Sequence, residues 1–233
     1  MEGIYFVGNN WCLNPPEKIF AHQYGAGFII VGEDVRDTIE VPIILAVTLM
    51  QKVLLSGGIA RAVIAAGDSD DHRGCFPPCI RNLSTGSNCF HLGRGVMTTF
   101  PAMGTALIRT VNLAKTAPAG GLLIIHESLR TRIPREMRPT TTGNQDLMSI
   151  DWIHTKVKAL EQVQRLAGIP GICPSGLEDQ LKDYIKKNDL TDDWKENTLH
   201  FLGMEEEYAS LLENDIMAPS RFIESKSVNA ITS

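Results

Sequence analysis

Residues 41–126 contain a succession of apolar runs separated by glycine-rich turns, and this pattern restricts the folds that the chain can adopt. Residues 41–55 form an apolar run long enough for a buried helix, and a pair of glycines follows it. Residues 59–66 and 122–126 are typical of strands, the second one buried, and residues 104–117 carry apolar side chains at helical spacing. This order predicts an α/β (α+β) sheet with helices packed against it.

Three further segments complete the predicted organisation. Residues 18–32 form two β-rich runs around a short glycine-containing turn, which predicts a β-hairpin. Residues 72–94 have no usable periodicity and are interpreted as an excursion from the core, a lid or an insertion. The C-terminal third is predicted to be helical over residues 150–167, 177–188 and 192–201.

The resulting domain prediction has four parts. Residues 1–135 form the α/β domain, residues 136–149 a linker, residues 150–213 a helical extension and residues 214–233 a flexible tail. The linker is assigned from a stretch of proline, threonine, glycine and basic side chains.

Composition narrows the function classes. The chain has 22 Lys and Arg against 27 Asp and Glu, a formal net charge of -5, so a dedicated nucleic-acid binder is not expected. Its apolar runs are far shorter than the roughly 20 residues of a membrane span, and its first residues carry no secretory pattern. We expect a cytoplasmic protein with no membrane or nucleic-acid partner, whose five cysteines are thiols rather than a disulfide framework.

Two segments carry a resemblance to a known family. The turn Tyr24-Gly25-Ala26-Gly27-Phe28 resembles the Gly-Asp-Gly hairpin of the class III nucleotidyl cyclases (adenylate and guanylate cyclases), and residues 104–114 resemble their second catalytic helix. The resemblance implies a ferredoxin-like, cyclase-type sheet that here lacks the family's usual first strand and helices. It also implies a homodimer, since cyclase active sites are shared between two subunits.

The chain departs from the cyclase pattern at the positions that carry the chemistry. The metal-binding Asp of the hairpin falls on Ala26, whose methyl group cannot bind Mg²⁺. The family's transition-state Asn and Arg fall on Ile108 and Asn112. The base-recognising Lys falls near His22, and its Asp partner near Thr99 or Pro101.

These departures predict a non-catalytic, cyclase-like signalling protein, a pseudoenzyme, that acts by binding a nucleotide or a protein partner. We call the predicted binding region the relic cleft, whose candidate residues are His22, Gly25, Ala26, Gly27, Asp68, Thr99, Gly104, Ile108 and Asn112. One alternative is a divergent active cyclase, a phosphorus-oxygen lyase, that holds Mg²⁺ or Mn²⁺ on the relocated carboxylates of Asp68, Asp70 and Asp71. Another is a structural subunit of a larger complex.

Thiols and imidazoles are concentrated in the excursion. Cys75, Cys79, Cys89 and His91, with His72 beside them, are the residue types of a tetrahedral zinc site. Their spacing is irregular for such a site, so a loop with small buried cysteines is the favoured interpretation and zinc is not expected. Four arginines at 130, 132, 135 and 138 could bind a phosphate, but a solvated linker is favoured.

Overall fold

The structure is a computed structural model. It describes residues 19–24, 27–32, 38–71, 84–86, 89–92, 95–98, 102–137, 139–169, 171 and 173–204.

A four-stranded mixed sheet forms the centre of the described fold. It is built from β3 (Ala62–Ile64), β9 (Leu123–His126), β10 (Pro139–Thr141) and β11 (Leu147–Ile150), in the order β10-β11-β9-β3. Strands β3 and β9 are parallel, whereas β11 runs antiparallel to both β9 and β10. The parallel pair is joined by a crossover that contains helix α2 (Thr105–Thr116), as parallel strands require.

Both faces of β9 are covered, which explains its uninterrupted apolar sequence. Leu123 and Ile125 face a large core cluster, while Ile124 packs on the other side with Leu113 of α2. Alternate residues of a strand point to opposite faces, so a strand buried on both sides needs an apolar residue at each position. The predicted buried strand is confirmed.

Helix α1 (Glu40–Leu55) supplies more of the large cluster than any other element. Its buried apolar side chains include Ile43, Ile44, Val47, Met50 and Leu54. The Thr38 hydroxyl accepts the backbone N–H of Glu40 at the start of the helix. At its end Gly57 adopts a φ of 81°, a left-handed conformation that glycine tolerates best. The predicted helix at 41–55 is therefore confirmed.

Three helices follow the sheet: α3 (Lys158–Leu166), α4 (Pro174–Lys187) and α5 (Asp192–Phe201). They pack their apolar side chains into the same core, which confirms the helical character of this part of the chain. A buried glutamine connects the layers: Gln51 of α1 donates its Nε2–H to the Trp152 carbonyl at 2.9 Å, and its Oε1 accepts from Gln164 Nε2 at 2.7 Å. Burial of this amide is tolerated because both ends are hydrogen-bonded.

The sheet continues through residues that the sequence analysis assigns to a linker and a helix. Strands β10 and β11 lie largely within 136–149, and helix α3 begins at Lys158 rather than at residue 150. Residues 147–150 are all buried. A short apolar run of this kind has no periodicity that separates a buried strand from a buried helix. The division into four domains stays a prediction.

Smaller strand groups make up the rest of the described fold. β1 (Ile19–Tyr24) and β2 (Gly27–Gly32) form the predicted antiparallel hairpin. β4 (Asp70–Asp71) pairs with β8 (Ala102–Met103), and β5 (Ser84–Gly86), β6 (Cys89–Leu92) and β7 (Gly95–Thr98) form a three-stranded sheet. The excursion therefore contains strands that its sequence pattern does not reveal.

The mixed α/β class is thus confirmed, and the cyclase-type arrangement stays a prediction. None of the described helices combines the length and apolar character needed to cross a membrane.

Candidate functional site

Two of the predicted relic-cleft residues are brought together at the carboxyl end of β3. The turn that follows β3 packs directly on the start of α2. The backbone N–H of Asp68 donates to Thr105 Oγ1 at 2.9 Å, and the Asp68 carbonyl accepts the N–H of Ala106 at 3.1 Å. The second bond satisfies one of the free N–H groups that every helix start leaves open. The carboxylate-bearing residue Asp68 remains exposed.

This junction depends on two glycines. Gly104 has a φ of 131°, and a Cβ at this position would lie 2.2 Å from the Asp68 carbonyl oxygen. A Cβ on Gly67 would lie 2.6 Å from the backbone nitrogen of Ala106. Any larger residue at either position would separate the turn from the helix. The sequence analysis identified Gly104 but missed Gly67.

The outer face of α2 is apolar at its centre. Ile108 is 62% exposed, Val111 is 42% exposed, and Met103 immediately before the helix is 53% exposed. Asn112 is exposed on the same helix. Leu113 of the opposite face is buried against the sheet. Ile108 and Val111 are three residues apart and therefore neighbours on the helix surface.

One cation, Arg109, is fixed at the junction. Its Nη1 donates to the Ala66 carbonyl at 2.8 Å, which ties α2 to the end of β3, two residues before Asp68. A guanidinium carries five donors, so this bond leaves donors directed elsewhere. The sequence analysis missed Arg109, although its position next to Ile108 on the predicted helix was a signal that could have found it.

The hairpin part of the relic cleft is described only in part. His22 pairs with Ile29, and Gly27 with Tyr24, in the two-stranded β1–β2 sheet. The strand pairing of the described residues does not join this hairpin to the four-stranded sheet. Its relation to Asp68 and Gly104 therefore stays a prediction. Gly25, Ala26 and Thr99 lie outside the described residues.

The zinc hypothesis concerns the excursion, and the Mg²⁺ or Mn²⁺ hypothesis concerns the aspartates just before it. Cys75 and Cys79 lie outside the described residues, whereas Cys89 and His91 belong to β6, opposite Thr98 and Val96 of β7. Asp70 and Asp71 pair with Met103 and Ala102. Within the described part of the chain, no group of three or more His, Cys, Asp or Glu side chains could hold a metal ion.

The charged residues after β9 form local pairs. Glu127 accepts from Arg130 in the 3-10 helix Glu127–Arg132, and a hydrogen bond from Arg130 holds the pKa of the Glu127 carboxyl below its usual range. His126 Nδ1 lies 3.1 Å from the backbone nitrogen of Ser128, whose N–H it accepts. Arg130 is therefore engaged by Glu127 rather than poised for a phosphate.

A cluster outside the relic cleft was missed by the sequence analysis. His154 follows β11 and lies between two carboxylates, with Nδ1 2.7 Å from Asp151 Oδ2 and Nε2 2.6 Å from Glu178 Oε1 of α4. Burial lowers the pKa of His154, but the hydrogen bonds and charges of Glu178 and Asp151 outweigh it and raise the pKa above its usual value. Asp151 and His154 are close in sequence, but Glu178 is brought to them only by the fold.

Comparison of the chain with protein-family models, with curated proteins and with solved structures finds no match of any of the three kinds.

Proposed function

We propose that this chain is a non-catalytic, nucleotidyl-cyclase-like protein that acts by binding, and that its principal partner is a second copy of itself. The observation that carries the proposal is the exposure of three apolar side chains, Ile108 and Val111 of α2 and Met103 at the end of β8, which we call the α2 face. The order hairpin, helix, strand, helix, strand supports the cyclase-like part of the proposal.

The loss of catalysis follows from the residues at the family's reactive positions. The resemblance places transition-state donors at Ile108 and Asn112, and neither side chain carries a charge. Removing one preorganised electrostatic group commonly costs on the order of 10²- to 10³-fold in rate. With the metal-binding Asp replaced by Ala26 as well, no measurable cyclisation is expected.

Self-association is expected because Ile108 is apolar at a position where the resemblance implies a polar side chain. In the family, the equivalent helix contributes to a site shared between subunits. Here the helix exposes two large apolar side chains, Ile108 and Val111, and fully burying a large apolar side chain contributes roughly 1.5–3 kcal/mol. An exposed apolar cluster of this kind is typical of an interaction surface.

Sedimentation equilibrium tests the interface. We expect the wild-type chain to be a dimer at micromolar concentration, and Ile108→Glu and Val111→Glu to weaken dimerisation by about tenfold or more. Val53→Glu is the matched control, since Val53 is 36% exposed on α1 and the substitution is identical. A monomeric wild type, or a dimer that none of these variants weakens, would overturn the proposed interface.

A separate assay tests the absence of catalysis. Purified protein is incubated with ATP or GTP in the presence of Mg²⁺ or Mn²⁺, and cyclic nucleotide is measured. We expect none. Formation of a cyclic nucleotide that is lost in Asp68→Ala would instead support the active alternative with relocated ligands.

Nucleotide binding in the relic cleft is a second candidate, favoured by one observation. Arg109 donates to the carbonyl of Ala66, which lies two residues before the exposed Asp68. A cation and a carboxylate therefore lie at the same turn. Guanidinium groups bind phosphate oxygens well, and Asp68 could contribute to a divalent cation.

A thermal-shift screen against ATP, GTP, CTP and UTP, with and without Mn²⁺, tests this candidate. A ligand that binds only the native state raises the melting temperature. A shift of several degrees that Arg109→Gln abolishes and Lys115→Gln retains would support it. No shift with any triphosphate would leave protein binding as the function.

A further inference from the structure

A small cavity lies at the opposite end of the parallel strands from the relic cleft. Its volume is about 260 Å³. One wall is formed by the residues that lead into β3, including Ile59 and Arg61, and another by Gly120 and Gly121 just before β9. Trp194 of α5 closes a third side.

Both backbone polar groups of Gly121 are already hydrogen-bonded within the chain. Its N–H donates to Thr198 Oγ1 at 3.0 Å, and its carbonyl accepts from Trp152 Nε1 at 2.7 Å. Arg61 differs. Arg61 is exposed where it lines the cavity, and no hydrogen bond or ion pair joins its side chain to any described residue. An accessible guanidinium without a carboxylate partner can pair with an anionic ligand.

The remaining walls are mainly apolar. A Cβ on Gly121 would lie 2.9 Å from Ile59 Cγ1 and 3.5 Å from Trp194 Cζ2, so glycine lets these two side chains pack close to the backbone. The indole is supported from α4, because the ring centroids of Tyr184 and Trp194 are 6.5 Å apart. An aromatic side chain in a cavity wall favours contact with flat rings.

We infer that this cavity, which we call the Arg61 pocket, binds a small organic acid in which a carboxylate is attached to a flat apolar ring. The carboxylate would pair with the Arg61 guanidinium and the ring would lie against Trp194. The volume is below the usual 300–1,000 Å³ of drug-sized sites, which limits the ligand to about one ring. The net charge of -5 provides no general attraction for anions, so specificity depends on Arg61 itself. This inference does not depend on the function proposed above.

Binding of benzoate to the full chain, measured by calorimetry and ligand-observed NMR, tests the inference. We expect saturable binding of benzoate and at least tenfold weaker binding of benzamide, which has the same shape without the charge. Inorganic phosphate should compete poorly, because it cannot contact the indole. Equal binding of benzoate and benzamide, equal binding of phosphate and benzoate, or no saturable benzoate binding would overturn the proposal.

Two variants assign the binding to this cavity. Arg61→Gln should weaken benzoate binding about tenfold or more, since it removes both the charge and the guanidinium fork. Arg165→Gln removes an exposed arginine from α3 and should leave binding unchanged. If Arg61→Gln does not fold, Arg61→Lys preserves the charge and should still weaken binding, because lysine lacks the bidentate geometry. Unchanged affinity in a folded Arg61 variant would place benzoate elsewhere and overturn the inference.

Discussion

His154 Nε2 and Glu178 Oε1 lie 2.6 Å apart, which joins the turn after β11 to helix α4. The other ring nitrogen is 2.7 Å from Asp151 Oδ2. A protonated imidazole can donate to both carboxylates at once, whereas a neutral one can donate to only one of them. The contact therefore responds to pH.

The pH dependence has a defined sign. In the unfolded chain the pKa of a histidine is about 6.5. The pKa of His154 is raised in the folded chain, so its contribution to stability is fully present below the unfolded pKa and is lost as pH rises through the folded pKa. Because about a third of the side chain is exposed, we expect no more than about 1 kcal/mol.

Urea unfolding at several pH values checks this prediction. His154→Gln should lower the free energy of unfolding more at pH 6 than at pH 8.5. Glu178→Gln retains the shape of the partner but removes its charge, so it should reduce the pH dependence without eliminating it. If His154→Gln has the same effect at both pH values, the two carboxylates do not stabilise the protonated ring.

Gly104 should be much more sensitive to substitution than a glycine in open space. Gly104→Ala places a Cβ against the Asp68 carbonyl at a backbone conformation that costs about 1–3 kcal/mol for other residues, before the clash is added. Gly143→Ala is the matched control, since nothing lies within 4 Å of its Cβ position. Thermal unfolding should show a large loss for the first variant and little change for the second. Equal effects would mean that the turn does not need to contact α2.

The elements that the sequence predicted best are those with a long or unambiguous apolar pattern. Helix α1 and strand β9 are examples, because burial on most sides leaves few alternatives for such runs. Strand β11 was misread because its four buried residues follow a polar, proline-containing stretch that is typical of linkers. Its position beside β9 is a tertiary pairing that local sequence does not encode.

The candidate sites were only partly visible in the sequence for a related reason. Asp68 and Gly104 were found through a resemblance, but the contacts between them required the structure. His154 and Glu178 are 24 residues apart, and Arg61 and Trp194 are further apart still. No short motif contains either pair, so only the packing of α4 and α5 against the sheet brings them together.

Substitution by valine should change the free energy of unfolding in opposite directions at two buried threonines. Thr48 is fully buried in α1, and its hydroxyl has no hydrogen-bond partner among the residues that the structure describes. Thr198 is equally buried, but its hydroxyl accepts from the Gly121 N–H and donates to the Trp194 carbonyl. Thr48→Val should raise the free energy of unfolding by about 1 kcal/mol, and Thr198→Val should lower it by about 1–3 kcal/mol. Denaturant unfolding of both variants checks the pair, and a loss of stability in Thr48→Val would show that its hydroxyl is satisfied.

Cys173, at the start of α4, is exposed and should be a reactive thiol. Ser175 Oγ lies 2.9 Å from its sulfur, and this hydroxyl together with the Gly176 backbone N–H lowers the pKa of the thiol. The thiolate is the nucleophile, so a lower pKa increases reactivity at neutral pH. Ser175→Ala should therefore slow alkylation of Cys173 by iodoacetamide severalfold at pH 7, measured by mass spectrometry of the Cys173 peptide.

At pH 10 the alkylation rates of wild type and Ser175→Ala should converge, because the Cys173 thiol is then ionised in both proteins. Ser56→Ala is the control: it removes a hydroxyl that donates to the Lys52 carbonyl at the end of α1, away from Cys173 in sequence, and it should not change the rate. Equal rates for wild type and Ser175→Ala at pH 7 would show that the hydroxyl does not stabilise the thiolate.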